Sequence, residues 1–462
     1  MNTKIFNKWY FLLFLLPFLV NCGKDFLEPK SNSAIVIPKT LDDFEKILDN
    51  SVINSGAGLP LLSCDDYFIG DSALWASASA TQKNAYIWAA DIYEGGTEIA
   101  DWNIVYRSVF YSNSVLHQLS QSAVYADQDR VDFTKGWAHF VRAAAFYDLL
   151  KNFSQTYRSE TEAKVNLGIP LKLTANVDEI QQRAPVWDGY QQVIADLNVA
   201  IPLLPKEIPT VYRNRPSRPA AYALLSKVYL SMLNYRQAEL YADSCLSLYD
   251  KLMDYNLIDR NAITPFKKTN DEVLLYANQV NGQYNYVLYN PTVNIMVDTV
   301  LYKSYKEGDL RKQLFFIKNG LFIKPKRGYA ETLSLSFTGL ATDEIYLIKA
   351  ECAARRSDVA VALDYFNKLL QKRFTVESYK AVSINNPMLL LEEIKKERRK
   401  ELFWRAGIRW EDIKRYNDEG EQIILSRKLG SKSYQLLPGS PRFVFPIPDD
   451  EIILSRIIQN PR

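Results

Sequence analysis

Catalysis would have to be built from very few groups in this sequence. Histidine occurs only as His117 and His139, too far apart for an H-E-x-x-H pair or two ligands on one helical turn, so both read as satisfied helix residues. Gly70-Asp71-Ser72-Ala73 carries the residue types of a serine-esterase nucleophile block, but that chemistry needs a later histidine base and none follows His139. Gly56-Ala57-Gly58 does not extend to G-x-G-x-x-G, and no G-x-x-x-x-G-K-[ST] occurs. Two carboxylates can hydrolyse glycosides without histidine. Asp42/Asp43, Asp65/Asp66, Glu392/Glu393 and Asp449/Asp450 supply neighbouring acids, yet adjacent acids are commonplace on solvated faces, and Asp42 and Asp43 stand where a helix dipole favours them. The expectation is a protein that uses no cofactor or metal and does no covalent chemistry.

What the residues do offer is aromatic surface, with 29 tyrosines and 8 tryptophans. Sugars present C–H patches on their ring faces and hydroxyls at their edges, so aromatic platforms beside amides and arginines bind them; peptides would use aromatics together with backbone partners. Candidate platforms are Tyr67, Trp75, Tyr86 and Trp88 in one irregular region, and Tyr284, Tyr286 and Tyr289 in another, with Asn285 and Asn290 as polar neighbours. Tyr86 and Trp88, two residues apart, read better as scaffold packing, as does Trp102.

The N-terminus reads as a processing signal. Lys4 and Lys8 precede an apolar run from Trp9 to Val20, shorter than the roughly 20 residues that span a bilayer as a helix but suited to a signal-peptide core. Leu19-Val20-Asn21-Cys22 then resembles a bacterial lipobox, with Asn21 where a small residue is usual. Residues 1–21 are therefore expected to be removed, Cys22 to be lipidated, and residues 22–40 to form a tether. Several acyl chains, each buried CH₂ contributing about 0.8 kcal/mol, would hold an otherwise soluble protein at a membrane. Cys64, Cys245 and Cys352 form no C-x-x-C pair, and the last two lie in helical apolar patterns as small core residues.

The positioning elements are helical. The chain has 462 residues, 47% hydrophobic, with 56 basic against 53 acidic side chains; that balance removes the simplest argument for nucleic-acid binding. Leu41, Phe44, Ile47 and Leu48 mark one helical face with Thr40 as its cap. Residues 51–100 look like loops with short helices. Long periodic runs then cover Trp102 to Leu119, Phe133 to Phe153 and Val186 to Leu203. Residues 219–249 read as two helices with a turn at Asn234-Tyr235. This hairpin repeats 124 residues later: Ala238, Ala242 and Leu246 correspond to Ala362, Phe366 and Leu370, and Tyr222 to Tyr346. The pattern resembles degenerate tetratricopeptide units. Residues 255–340 lack long periodicity, which inside a helical protein points to a functional insertion. The mixed charges of Glu392 to Glu401 suggest a salt-bridged face, and the chain from Tyr434 onward looks loop-like.

Several blocks, in order, resemble the SusD/RagB family of surface lipoproteins. They are Cys22-Gly-Lys-Asp-Phe-Leu-Glu-Pro; Trp102, Tyr106 and Asn113; the helix from Gly136 to Leu150 with Arg142; Tyr190 to Leu197; Asp343 to Glu351; Glu397 to Arg415; and Phe445-Pro-Ile-Pro through Gln459-Asn460-Pro461. Asn21, Trp137-Ala138 and Ala406 depart from the family pattern. The resemblance implies one mainly α domain over residues 41–462. It would have four tetratricopeptide-like helical hairpins as scaffold and irregular, loop-rich ligand-binding insertions near 51–100 and 255–340. It further implies an outer-membrane, surface-facing protein that binds oligosaccharide, or in some relatives peptide, and passes it to a SusC-like TonB-dependent transporter. A surface glycoside hydrolase is the alternative from another class. Glu397, Arg398, Arg399, Arg409 and Asp412 are expected to form a buried charge network rather than to touch ligand.

Overall fold

The computed structural model describes residues 38–121, 126–280, 295–320, 322–331, 335–405 and 407–462. Within them are 17 α-helices. Four short ones open the chain: α1 (Leu41–Leu48), α2 (Leu59–Ser63), α3 (Ser72–Ser77) and α4 (Ala80–Tyr86). The scaffold follows as α5 (Ala100–Gln121), α6 (Gln128–Phe153), the short α7 (Glu160–Val165), α8 (Val186–Leu203), α9 (Arg218–Ser231) and α10 (Tyr235–Leu248). After α11 (Thr299–Ser304) and α12 (Arg311–Leu314) it resumes with α13 (Thr342–Arg355), α14 (Val359–Gln371), α15 (Pro387–Glu401) and α16 (Ile408–Asp418); α17 (Asp449–Ser455) lies near the end. Twelve short strands pair two by two: β1 (Ser55–Gly56) with β6 (Asn278–Gln279), β2 (Tyr67–Ile69) with β7 (Ile295–Val297), β3 (Leu167–Pro170) with β4 (Arg183–Pro185), β5 (Val273–Leu275) with β10 (Leu340–Ala341), β8 (Phe316–Asn319) with β9 (Phe322–Pro325), and β11 (Leu425–Leu429) with β12 (Lys432–Leu436).

The expected caps and faces are present. Thr40 and Asp43 close a capping box on α1, whose Leu41, Phe44 and Leu48 are buried. Trp102 and Trp137 are fully buried, as are Cys245 and Cys352. Each of the antiparallel helices α6 and α8 carries a glycine against its partner. A Cβ on Gly136 would stand 2.8 Å from Cβ of Leu203, and one on Gly189 would stand 2.6 Å from a methyl of Leu150. Glycine inside a helix costs about 1 kcal/mol relative to alanine, and here that cost is offset by closer approach of the two helices.

The 124-residue repeat is a repeat of geometry as well as of residue type. Leu233 and Ser357 both turn the chain in the left-handed region, at φ 57° and 67°. Asn234 then caps α10 by accepting from Gln237 N–H, and Asp358 caps α14 by accepting from Val361 N–H. The backbone bonds Asn234 N–H to Tyr229 O and Asp358 N–H to Ala353 O are both 2.9 Å. Tyr222 meets Tyr241 at 6.1 Å between ring centroids, and Tyr346 meets Tyr365 at 5.5 Å. Ala238 and Ala362 are completely buried at the two crossings. The pairs α9/α10 and α13/α14 are thus two copies of one helical hairpin, and α10 packs directly on α13.

The C-terminal stretch differs from its loop-like reading. Residues from Tyr434 onward complete the β11–β12 hairpin and form α17. The strand pattern was hidden because Leu425, Arg427 and Leu429 all face inward, and a buried arginine breaks the apolar alternation by which strands are recognised.

Candidate functional site

The two irregular segments, far apart in sequence, are laced together over the scaffold. Ser55 and Gly56 pair in parallel with Asn278 and Gln279, and Tyr67 to Ile69 pair antiparallel with Val297 to Ile295. Asp298 N–H adds a 2.8 Å bond to Asp66 O. Gly56 permits the close pass, since a Cβ there would meet Thr338 Cβ at 3.0 Å. Carboxylates from the scaffold tie the early segment down: Asp148 of α6 accepts from Ala57 N–H at 2.8 Å, and Asp101 of α5 accepts from Gly58 and Leu59 N–H at 2.6 and 2.8 Å. In the other direction Asp65 takes both arms of Arg409, at 2.7 and 2.8 Å, and pairs with Arg399 at 3.1 Å. Burial acts to raise the half-buried Asp65 carboxyl, but Arg409 and Arg399 outweigh it and hold the group well below the usual range. Beside it burial pushes Asp66 up to about 6, with Arg399 opposing and the Asp65 charge adding to the rise.

Of the aromatic candidates, Tyr67, Tyr86 and Trp88 are buried and unavailable to ligand. They surround one cation: the Arg427 guanidinium lies 4.5 Å from the Tyr86 ring centroid, 5.2 Å from that of Trp88 and 5.4 Å from that of Tyr67, and it bonds to Cys64 O. Their polar tips are satisfied too, Tyr67 OH on Leu62 O at 2.7 Å and Trp88 Nε1 on Ser63 O at 2.9 Å. Trp75 on α3 is half-buried against the core, and its indole N–H donates to Lys83 O at 3.2 Å, which fixes the ring while leaving part of it in solvent. Tyr284, Asn285, Tyr286, Tyr289 and Asn290 lie outside the described residues, as does Cys22. The described residues that bound that segment, Val280 and Ile295, bond to Gly56 and pair with Ile69 respectively.

The motif residues are structural. Arg142 of α6 grips Asp196 of α8 at 2.9 and 2.6 Å and Asn113 of α5 at 2.8 Å, while His139 reaches Asp196 at 2.8 Å. Asn460 Nδ2 donates to Phe153 O and Phe445 O, both at 2.8 Å, closing the C-terminus onto α6. Arg398 bridges Asp412 at 2.8 Å and Glu344 at 3.0 Å, and Glu397 pairs with Arg311 at 2.5 Å. Glu272, Asp343 and Glu401 bring carboxylate oxygens within 4.8 Å of one another. Arg311, Arg373 and Arg405 already neutralise them: Arg373 bonds Glu272 and Glu401 at 2.7 Å each, Arg311 bonds Glu401 at 2.8 Å, and Arg405 bonds Asp343 at 2.8 Å. This is a buried ion-pair lattice and not a cation site.

Above that lattice lies an open groove of about 790 Å³, formed by α11, α12, β8 and the loop at Arg260. Its half-buried ring is Tyr302, oriented by an edge-on contact with Phe316 at 5.3 Å and by Lys312 Nζ, 5.2 Å from the ring centroid. Lys306, Gln313 and Lys318 are exposed along it, and Lys326 donates to Arg260 O at 2.6 Å. Its two acids, Glu307 and Asp309, do not form a hydrolytic pair, because Asp309 is buried and held by both arms of Arg311, at 2.9 and 2.7 Å. None of these groove residues was singled out from sequence, although the run of lysines after residue 300 was there to be counted.

The architecture is thus a tetratricopeptide-like helical scaffold carrying laced irregular segments, with the motif residues committed to folding. Two family profiles match the chain: "Starch-binding associating with outer membrane" over residues 25–230 and "SusD family" over residues 342–461. The chain belongs to the SusD/RagB family. A SusD superfamily protein from Bacteroides thetaiotaomicron shares the fold, at TM-score 0.73 and 21% identity over 92% of this chain and 100% of its own. The surface glycan-binding protein A of Bacteroides fluxus aligns at TM-score 0.68 and 17% identity, over 92% and 100%. A laminarin-binding SusD-like protein aligns at 0.65 and 18%, over 90% and 97%. No curated protein matches the chain. Among the described residues no helix is long and apolar enough to cross a membrane.

Proposed function

We infer that this protein is an outer-membrane surface lipoprotein, anchored through Cys22, that binds oligosaccharide and delivers it to a SusC-like TonB-dependent transporter. The observation that carries the binding half is the groove beside the laced segments. It is concave, within the roughly 300–1,000 Å³ range of ligand sites, and combines an oriented tyrosine with nitrogen donors. Trp75 on the other segment supplies a second fixed ring, and Tyr284, Tyr286, Tyr289 and Asn285 belong to the same proposal through their segment. The names of two relatives, a surface glycan-binding protein and a laminarin-binding protein, support the glycan reading. The transporter rests on the family resemblance, and the anchor on the signal-peptide core and the lipobox-like Leu19-Val20-Asn21-Cys22.

Calorimetric titration of the full chain with neutral and acidic oligosaccharides and with mixed peptides tests this. Saturable binding of a glycan class is expected, with no reducing ends released. Tyr302→Ala and Trp75→Ala are each expected to weaken binding about tenfold, the equivalent of roughly 1.4 kcal/mol. Binding of peptides with silence across the glycans would contradict the reading.

A further inference from the structure

The groove's charge is out of proportion to that of the chain. Residues 303–327 contain eight lysines and arginines against two acids, whereas the whole protein carries only +3. The balance is further skewed by pairing. Asp309 is consumed by the buried Arg311, leaving Glu307 as the exposed acid of the groove. Lys306, Lys312, Lys318 and Lys326 make no ion pair among the described residues. Lys312 and Lys326 instead spend a proton on backbone carbonyls, Tyr305 O at 3.1 Å and Arg260 O at 2.6 Å. Burial lowers the Lys326 ammonium from its ordinary value, with only Asp259 acting against that. Other lysines of the surface also lack an ion pair among the described residues, Lys83, Lys135 and Lys206 among them, and what sets the groove apart is that four such lysines line one concave surface. Lys227, by contrast, is held by Glu344 at 2.9 Å and Lys349 by Glu239 at 2.7 Å. Several unmatched ammonium groups converging on one concave surface repel each other, and an anion placed among them relieves that repulsion.

We propose that this groove takes an acidic oligosaccharide, one whose sugars carry carboxylate or sulfate groups, with Tyr302 orienting a ring and Lys306, Lys312, Lys318 and Lys326 meeting the charges. The aromatic ring favours a sugar over a bare anion, because it gives the ligand's apolar face a partner while the ammonium groups take its edge. This rests on the glycan-binding reading and narrows its substrate class.

The test is titration of the full chain with a galacturonic-acid hexasaccharide, a chondroitin sulfate hexasaccharide, neutral laminarihexaose, single-stranded DNA and anionic phosphatidylglycerol vesicles. At least one acidic hexasaccharide is expected to bind tenfold or more tighter than the neutral one at low salt, and the difference to shrink as the screening length falls towards about 3 Å near 1 M. The double variant Lys306→Glu, Lys318→Glu changes two exposed side chains, so its thermal midpoint should match the parent; it should lose acidic-glycan affinity tenfold or more. Equal binding of neutral and acidic sugars by the parent would overturn this inference and leave the glycan reading standing. Silence with every sugar would overturn both. Vesicle or DNA binding without acidic-sugar binding, sensitive to the same double variant, would reassign the groove to a lipid or nucleic-acid anion and overturn the proposal.

Discussion

Arg373→Met is expected to destabilise the fold by about 3–5 kcal/mol, the cost of stranding a buried charge. The guanidinium is fully buried, bonds Glu401 and Glu272 at 2.7 Å each and Met253 O at 2.9 Å, and sits 4.0 Å from the Tyr255 ring centroid. Methionine fills much of the same volume, so packing changes little, while Glu272 loses its cation and Glu401 loses one of its two, keeping Arg311 at 2.8 Å. Arg373→Lys keeps the charge but cannot reach both acids with one planar fork, and should fall between. Equilibrium denaturation of the three proteins checks this. A loss below 1 kcal/mol for Arg373→Met would show that the lattice tolerates a missing cation, and Glu272 and Glu401 would then have to be satisfied otherwise.

The second large effect is on acid stability. Burial alone would raise the Glu344 carboxyl, but Lys227 and Arg398 outweigh it and hold the group at about 2. Glu351 is held at about 2 in the same way, burial being overcome by Arg415 and Arg355. A carboxyl that is more acidic folded than unfolded stabilises above its unfolded value near 4.5 and loses that contribution as pH falls through its folded value. Each of these two groups therefore contributes on the order of 3 kcal/mol at neutral pH, lost between about pH 5 and pH 2. Asp66, pushed up to about 6, acts in the opposite sense: its contribution is present below the unfolded value near 3.8 and lost as pH rises to 6. Asp343, which burial pushes up to about 7 with Arg405 opposing, acts as Asp66 does, whereas Asp65 and Glu401, held low by their arginines against burial, act with Glu344 and Glu351. Four groups against two leave a net fall in stability on acidification. Denaturation midpoints from pH 6 to pH 2.5 should drop, with a shallower slope in Glu344→Gln. A flat profile would mean that these carboxylates are not held as described.

The scaffold was readable because helical packing is local and periodic. Alanines at the crossings and capping residues at the turns recur at one spacing, and the structure places each pair equivalently, down to the left-handed residues before Asn234 and Asp358. Arg398 and Asp412 were expected within a buried charge network because of the family blocks they stand in, and they pair at 2.8 Å; Arg399 and Arg409 of the same expectation turn instead to Asp65. The site was less legible. Nothing near Tyr67, Tyr86 or Trp88 in sequence announces Arg427, which arrives from a hairpin more than 330 residues later and turns three candidate platforms into the walls of a cation box. Tyr302 was passed over because Thr299 to Ser304 is a single short helix without a pattern. Its meaning comes from the lysines that folding brings around it.

The most direct test of the claim that the irregular segments, and not the helical repeats, hold the ligand is amide hydrogen exchange with and without a saturating oligosaccharide. Protection is expected over residues 299–318 and around Trp75, with α9, α10, α13 and α14 unchanged. Protection confined to those repeat helices would contradict the account and move the binding surface to the scaffold.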